Sequence, residues 1–191
     1  MNEETPKASR FDLVERNGLT NNKFSDVPFT GVTEDYREFG QLRRRVPYKD
    51  GKLDGVYEQY YDNGQLEIKG TYKDGKKEGI WEFYYDNGQL RTRDTYKNGK
   101  KDGVEEVYHK NGQIRLKGTN KNDKVDGVFE TYHKNGQLRT KGNNKGWHRD
   151  GVWVRYHSNG QLYYKGNYKN AKKEGALRVR IAVLCVPGSN G

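Results

Sequence analysis

The sequence predicts an all-β protein, an elongated antiparallel meander of 24-residue β-hairpin repeats that forms a twisted single-layer sheet. The first observation is a heptapeptide that occurs five times at an unvarying interval of 24 residues. The copies are YYDNGQL at 60–66 and 84–90, YHKNGQI at 108–114, YHKNGQL at 132–138 and YHSNGQL at 156–162. A weaker copy, YREFGQL at 36–42, lies one interval earlier. Self-similarity at a fixed period indicates a repeat architecture.

The composition is the second observation, because it argues against an ordinary globular domain. Only 31% of the residues are hydrophobic and 32% are charged, yet 15 Tyr, 6 Phe and 3 Trp are too many aromatic residues for a disordered tail. No apolar run approaches the roughly 18 residues that a membrane span needs, and the start, MNEETPKASR, lacks the features of a signal peptide. We therefore expect a cytoplasmic protein. Its single cysteine, Cys185, excludes an internal disulfide framework.

The repeat divides the chain into three parts. Residues 1–30 are an N-terminal segment with an entry half-repeat, residues 31–174 are six 24-residue hairpin repeats, and residues 175–191 are a divergent C-terminal cap or tail. Helical repeats are disfavoured because glycines fall alternately every 9 and 15 residues. Each glycine costs about 1 kcal/mol inside a helix, and no apolar spacing of three and four offsets that cost.

Each NG dipeptide predicts a tight turn between two strands. Asn-Gly between runs of aromatic and β-branched residues is typical of a two-residue type I′ hairpin, since both central positions take positive φ. In the second repeat the turn residues are Asn63 and Gly64. The predicted turn glycines are Gly40, Gly64, Gly88, Gly112, Gly136 and Gly160. A second glycine in each repeat, such as Gly55 or Gly79, is expected to close the connection to the next hairpin.

The predicted turn fixes which residues face each other across a hairpin. Residues whose numbers sum to 127 pair around the first NG turn, so Glu58 meets Lys69. The equivalent pairs are Glu82 with Arg93, Glu106 with Lys117 and Glu130 with Lys141. The same register sets Tyr57 against Gly70, so that a ring can cover a strand glycine. Opposite charges face each other in four hairpins, which supports the register.

Tyrosines and arginines are expected to meet on the contact surface of the sheet. The register makes Tyr84, Tyr108 and Tyr132 face Arg91, Arg115 and Arg139, a cation–π arrangement worth about 0.5–1 kcal/mol at an exposed site. One face then carries apolar residues such as Tyr57, Trp81 and Leu90, and we expect it to lie inside the twist. The other face carries the candidate partner-binding residues, which are Tyr60, Tyr84, Arg91, Tyr108, Arg115, Tyr132, Arg139 and Tyr156.

No residue pattern indicates an enzyme, a cofactor or a metal site. His109, His133 and His157 share one repeat position, but equivalent residues in consecutive hairpins lie about 9.5 Å apart, too far to share one zinc ion. The glutamate row has the same spacing and each member has a cationic partner, whereas general acid or base catalysis needs an unpaired carboxyl group. No nucleophile triad or phosphate loop is present. We expect no small-molecule substrate.

The repeat unit resembles a known family. The pattern G-x-W-x-x-Y-Y-x-N-G-Q-L-x-x-K-G-x-Y-K-x-G-K-x-x-G is similar to the bacterial variant of the MORN (membrane occupation and recognition nexus) repeat, the MORN_2 variant, in particular to YwqK-family antitoxins. The resemblance covers about residues 11–175. It departs where YKDG becomes NKND at 120–123 and NKGW at 144–147. The resemblance implies a non-enzymatic scaffold that binds a macromolecular partner, and the antitoxin label implies that this partner is a cognate toxin that it neutralises.

An alternative function follows from the distribution of charge. The net charge is +10, and nearly all of the excess lies beyond residue 127. An anionic lipid or a nucleic acid would therefore meet the C-terminal third. The candidate anion-binding residues are Lys165, Lys169, Lys172, Lys173 and Arg178. A solvated lysine-rich surface that prevents edge-to-edge pairing of sheets also explains these cations.

Overall fold

The computed structural model describes residues 6–177, and within them nearly all regular structure is β-strand. The strands are β1 (Lys7–Ala8), β2 (Leu13–Arg16), β3 (Leu19–Asn22), β4 (Gly31–Tyr36), β5 (Leu42–Lys49), β6 (Lys52–Leu53), β7 (Gly55–Tyr60), β8 (Leu66–Lys73), β9 (Lys76–Tyr84), β10 (Leu90–Lys97), β11 (Lys100–Tyr108), β12 (Ile114–Lys121), β13 (Lys124–Tyr132), β14 (Leu138–Lys145), β15 (His148–Tyr156), β16 (Leu162–Lys169) and β17 (Lys172–Leu177). One 3₁₀ turn spans Arg10–Asp12. Arg178 and Cys185 lie outside the described residues.

Fifteen strands form a single sheet whose order follows the chain from β4 to β17, with the short strand β6 paired to β5. These pairs are antiparallel, β1 adds to β4 in parallel, and β2 and β3 form a separate hairpin. The predicted all-β meander of hairpins is confirmed. No helix in the described part of the chain has the length and hydropathy that crossing a membrane requires.

The NG turns are one residue longer than predicted. The amide of Tyr61 donates to the carbonyl of Gln65 at 2.8 Å, and the amide of Gly64 donates to the carbonyl of Tyr61 at 3.0 Å. Gly64 has a φ of 79°, whereas Asn63 keeps a negative φ and accepts the Gln65 amide on its side chain at 3.0 Å. A type I turn followed by a left-handed glycine gives a three-residue loop with a bulge. The predicted type I′ turn at Asn63 and Gly64 is therefore wrong.

The two-residue type I′ turns occur at the other end of the hairpins. Asp74 and Gly75, between β8 and β9, have φ values of 49° and 78°. Left-handed pairs also join the later hairpins, at Asn98 and Gly99, Asn122 and Asp123, Gly146 and Trp147, and Asn170 and Ala171. Gly55 begins β7 and Gly79 lies inside β9, so the prediction that they close the connections is wrong. The DG and NG dipeptides at 74–75 and 98–99 were the signal for these turns.

The core is a row of aromatic side chains on one face of the sheet, which we call the aromatic face. Trp81 and Trp153 are only 1% and 3% exposed. The ring centroids of Tyr57 and Tyr72 lie 5.9 Å and 4.9 Å from that of Trp81, and Phe129 lies 5.9 Å from Trp153. Each indole N–H donates to a backbone carbonyl, so neither is left unpaired by burial. Burial of these rings is the main hydrophobic contribution in a thin protein.

An ionic cluster interrupts the aromatic face between the two tryptophans. The Nζ atom of Lys101 lies 3.0 Å from Oδ2 of Asp94 and 2.9 Å from Oε1 of Glu105. Asn120 donates to the other oxygen of Glu105 at 3.0 Å. Burial raises the pKa of Asp94. Burial also opposes the charge on Glu105, but hydrogen bonds from Asn120 and Lys101 lower the pKa of that carboxyl.

Candidate partner-binding surface

A row of alternating charges crosses the opposite face of the sheet. We call the row the charge ladder and this face the ladder face. Its members in order are Glu34, Arg45, Glu58, Lys69, Glu82, Arg93, Glu106, Lys117, Glu130 and Lys141. The four predicted pairs are confirmed, with nitrogen–oxygen distances of 2.9–3.1 Å. The ladder ends at Val154, which pairs with Lys141 and Lys165.

The tyrosine row is bonded to the charge ladder. The hydroxyl of Tyr84 donates to Glu82 at 2.7 Å. The same bond to a ladder glutamate is made by Tyr60, Tyr108 and Tyr132. Burial and the glutamate acceptors raise the pKa of Tyr84 and Tyr132 to about 12. Tyr156 has no such acceptor, because Val154 stands where the other hairpins have glutamate.

The predicted contact between tyrosines and arginines is wrong, because a bulge shifts the pairing. Tyr84 pairs with Leu90 and not with Arg91, and the next two hairpins repeat this arrangement. The three-residue turn shifts the pairs next to it by one residue, and one bulge residue in the second strand restores the predicted register beyond it. Leu90 consequently lies on the ladder face, whereas the sequence pattern had placed it with the aromatic residues.

The same bulge turns the arginines to the aromatic face. In the hairpin of β7 and β8 the bulge residue is Glu67, which accepts a hydrogen bond from Gln59 at 2.8 Å. Gln59 in turn accepts one from Tyr57 of the aromatic face at 2.7 Å. The equivalent residues of the next three hairpins, which we call the arginine row, are Arg91, Arg115 and Arg139. The predicted partner-binding residues are therefore divided between two faces.

The arginine row is exposed and uncompensated. Its members are exposed to solvent, and within the described residues none of them forms an ion pair. The cations of the charge ladder, by contrast, each contact a carboxylate. An unpaired guanidinium keeps its five donors available for an external acceptor.

Two members of the arginine row line an open cleft of about 530 Å³ near the NG turns of the C-terminal repeats. Its basic lining residues are His109, Arg115, His133, Lys134, Arg139 and Arg155. The rest of the described lining is uncharged, and it includes the hydroxyls of Thr131 and Thr140. A concave surface with one sign of charge attracts and orients an oppositely charged ligand. Sequence reasoning missed this cleft, because its members come from three hairpins.

Side chains beside the NG turns connect each hairpin to the next. The bonded pairs are Tyr61 with the Tyr84 carbonyl at 2.7 Å, Tyr85 with the Tyr108 carbonyl at 2.9 Å, and His133 with the Tyr156 carbonyl at 3.0 Å. His109 is different, since its Nε2 atom is buried without a hydrogen-bond partner among the described residues. The cleft lies at this seam. In the described range no three His, Cys, Asp or Glu side chains are grouped so that they could hold a metal ion.

The repeat unit thus consists of two strands, a bulged NG turn and a two-residue connection. Five segments match a family model described as the MORN repeat variant, at residues 53–74, 77–98, 101–122, 125–143 and 149–170. Together they cover more than half of the chain. The chain belongs to the MORN repeat variant family. It is a repeat scaffold, in which each hairpin packs on the hairpins before and after it.

One solved structure similar to this MORN repeat chain is described as the crystal structure of GtfA/B complex bound to UDP and GlcNAc. The identity is 20% and the TM-score is 0.26. The match covers 71% of this chain and 29% of that chain, so the MORN repeat chain spans less than a third of the solved protein. No curated protein matches the chain.

The alternative anion-binding residues do not form one patch on the MORN array. Strand pairing puts Lys165, Lys169 and Lys172 on the ladder face. Lys173 lies on the aromatic face, with its Nζ atom 5.2 Å from the ring centre of Tyr164. All four lysines are exposed. A flat polyanion on one face could therefore contact only part of this set.

Proposed function

We propose that this MORN repeat scaffold binds a protein partner through the arginine row, in the manner of an antitoxin or immunity-type protein that neutralises a cognate toxin. The observation that supports the binding surface is that Arg91, Arg115 and Arg139 are exposed and have no carboxylate partner among residues 6–177. The antitoxin role is supported by the resemblance to YwqK-family antitoxins. The proposal assigns the protein no enzymatic activity and no cofactor, and it places the protein in the cytoplasm.

The arginine row suits a protein interface for two reasons. Arginine is among the residue types that contribute most to interface hot spots, because its planar guanidinium can hydrogen-bond and stack at the same time. In the part of the chain that the structure describes, no ion pair has to be broken when a partner carboxylate arrives, and breaking one would reduce the gain in binding free energy. The tyrosine hydroxyls already donate to ladder glutamates, so we assign the tyrosine row a smaller part in binding than the sequence suggested.

A binding assay with a purified candidate toxin, encoded by the neighbouring gene, tests the proposal. Replacing Arg91, Arg115 and Arg139 together by Ala should weaken binding by about a hundredfold or more, as expected for loss of central hot-spot residues. The matched control replaces Lys73, Lys97 and Lys121 by Ala. These lysines are exposed and also recur once per repeat. Replacing them removes the same charge as the triple arginine change, but at the opposite end of the hairpins. Equal weakening by the control would contradict the proposed surface.

Binding of anionic lipid or nucleic acid through the basic C-terminal third is the second candidate. The observation that favours it is that Lys165, Lys169 and Lys172 are exposed on the ladder face beyond Val154, where the charge ladder has ended. Binding of a polyanion falls steeply with salt, whereas a protein interface with a buried centre weakens less. If replacing these three lysines by Ala left retention on anionic vesicles or RNA unchanged, this candidate would be excluded.

A further inference from the structure

We infer that the partner segment bound by the arginine row is an acidic segment in the polyproline II conformation, with a carboxylate at every third residue. The inference rests on the proposed function and specifies the chemistry of the partner. Two features of the structure support it, the spacing of the row and the uncharged surface between its members.

The repeat sets the spacing of the arginines. Arg91, Arg115 and Arg139 occupy the bulge positions of three consecutive hairpins, so neighbouring members are two strands apart. Strands in a sheet lie about 4.7–4.9 Å apart, which separates the arginine backbones by about 9.5 Å. A polyproline II chain has three residues per turn and rises about 3.1 Å per residue, so residues three apart lie on the same face and are separated by about 9.3 Å. A segment that crosses the strands can therefore offer one carboxylate to each guanidinium.

The ends of the row limit the length of the segment. The bulge position holds Glu67 in the hairpin before the row and Tyr163 in the hairpin after it. A carboxylate placed opposite Glu67 would be repelled, and one placed opposite Tyr163 would meet a phenol ring in place of a guanidinium. Three carboxylates spanning seven residues therefore match the row. Bidentate bonds from a guanidinium to a carboxylate would fix each anchor in place.

The surface between the arginines suits small uncharged residues. Leu116, Thr131 and Thr140 line the cleft there, and they offer an apolar contact and two hydroxyl groups. Residues between the anchors of the segment would lie over these uncharged side chains. Arg155 lies beside the row in the same cleft and adds to the positive potential without belonging to the periodic set.

Nucleic acid fits this spacing less well. Successive phosphates follow each other at about 3.4 Å along one strand of a duplex, a much higher density of charge than one guanidinium per 9.5 Å. A nucleic acid would therefore engage the row through overall charge, and the distance between its charges would not affect its affinity. This difference makes the spacing of charges the variable to test.

The experiment compares two seven-residue peptides of identical composition, each with three glutamates and four small uncharged residues. One has glutamate at positions 1, 4 and 7, and the other at positions 1, 3 and 5. Fluorescence anisotropy with the intact protein should show about tenfold tighter binding of the first peptide, because only it places a carboxylate at each guanidinium. The preference should disappear when Arg91, Arg115 and Arg139 are replaced by Ala, and it should persist in the Lys73, Lys97 and Lys121 control.

The possible failures are distinguishable. Equal affinity for the two peptides, or a preference that survives the triple arginine replacement, would overturn the inference. If the candidate toxin still depended on the arginine row in that case, the proposed function would stand without the acidic segment. If the toxin were also insensitive to the row, both would fail. Tighter binding of a short single-stranded oligonucleotide than of either peptide would also overturn the inference.

Discussion

The indole ring of Trp153 lies against the backbone of Gly142, in the space that a Cβ atom of residue 142 would occupy. Trp81 covers Gly70 in the same way, so in both cases the covering ring comes from the next hairpin along the chain. The ring thus protects the backbone of a strand that the glycine leaves bare. At Gly118 an added Cβ would lie 3.7 Å from Cδ2 of Phe129, an ordinary contact distance.

Replacing Gly142 by Ala should therefore destabilise the protein more than replacing Gly118. Overpacking at Gly142 has to displace a buried indole, and we expect a loss of about 1–3 kcal/mol in the free energy of unfolding. Gly118→Ala should change it by less than about 1 kcal/mol, since alanine restricts the unfolded chain at no steric cost. Urea unfolding of both variants measures the difference. Equal losses would show that the rings move aside freely.

The charge ladder and the NG turns show which features of this fold a sequence can and cannot specify. The strand register was predictable, because opposite charges such as Glu58 and Lys69 recur at one position in successive hairpins. The turn type was not, because Asn-Gly suits both a two-residue loop and a three-residue loop with a bulge. One inserted residue reverses the face of a side chain, since strands alternate with a period of two. The arginine row therefore lies on the face opposite to the predicted one.

Lys101 should be essential to the ionic cluster. Replacing it by Met would leave Asp94, which is 3% exposed, and Glu105 without their shared cation. Removing one partner from a buried ion pair costs about 3–5 kcal/mol, and we expect a loss at the lower end because Lys101 is partly exposed. Lys100→Met is the control, since its neighbour Lys100 is exposed on the same strand. Similar unfolding curves for the two variants would contradict a structural role for the cluster.

Acid should destabilise the fold through the charge ladder. Burial alone would raise the pKa of Glu82, but hydrogen bonds from Tyr84 and Arg93 lower it below 4.5, and Glu58 and Glu106 behave alike. A lowered pKa in the folded state stabilises the protein above the unfolded pKa, and the stabilisation is lost as the pH falls through the folded value. The free energy of unfolding should thus decrease below about pH 4.5.

The variant Glu82→Gln isolates one rung of the ladder. It should be less stable than the parent protein at pH 7, and the difference should shrink towards pH 3, where the parent glutamate is protonated as well. Asp94 has the opposite effect on the free energy of unfolding. Its pKa is raised in the folded state, so its contribution to stability grows as the pH falls and the carboxyl is protonated. Urea titrations of both proteins at several pH values give the dependence of the free energy of unfolding on pH. A constant difference between parent and variant would exclude this linkage.

High pH should destabilise the fold by ionising the tyrosines that are bonded to the charge ladder. Tyr132 ionises at about pH 12 in the folded protein, as burial and Glu130 oppose the phenolate. A raised pKa contributes stability below the unfolded value of about 10, and that stability is lost between pH 10 and 12. Tyr132→Phe should remove one chromophore from the late part of the ultraviolet titration and cost about 1 kcal/mol at pH 7. Tyr156→Phe, which removes a hydroxyl without a glutamate acceptor, should cost less.

A substitution at His109 should add a hydrogen bond between its hairpin and the next one. Tyr61 and Tyr85 each donate a hydroxyl to a carbonyl of the next hairpin, whereas Nε2 of His109 is buried without a partner in the described structure. His109→Tyr should restore that bond and raise the free energy of unfolding by about 0.5–1.5 kcal/mol, with slower amide exchange beside the turn. His133→Tyr is the control, because His133 already bonds the next hairpin at 3.0 Å and the replacement exchanges one bond for another. A larger gain from His133→Tyr would show that ring size, and not the missing hydrogen bond, determines the strength of the seam.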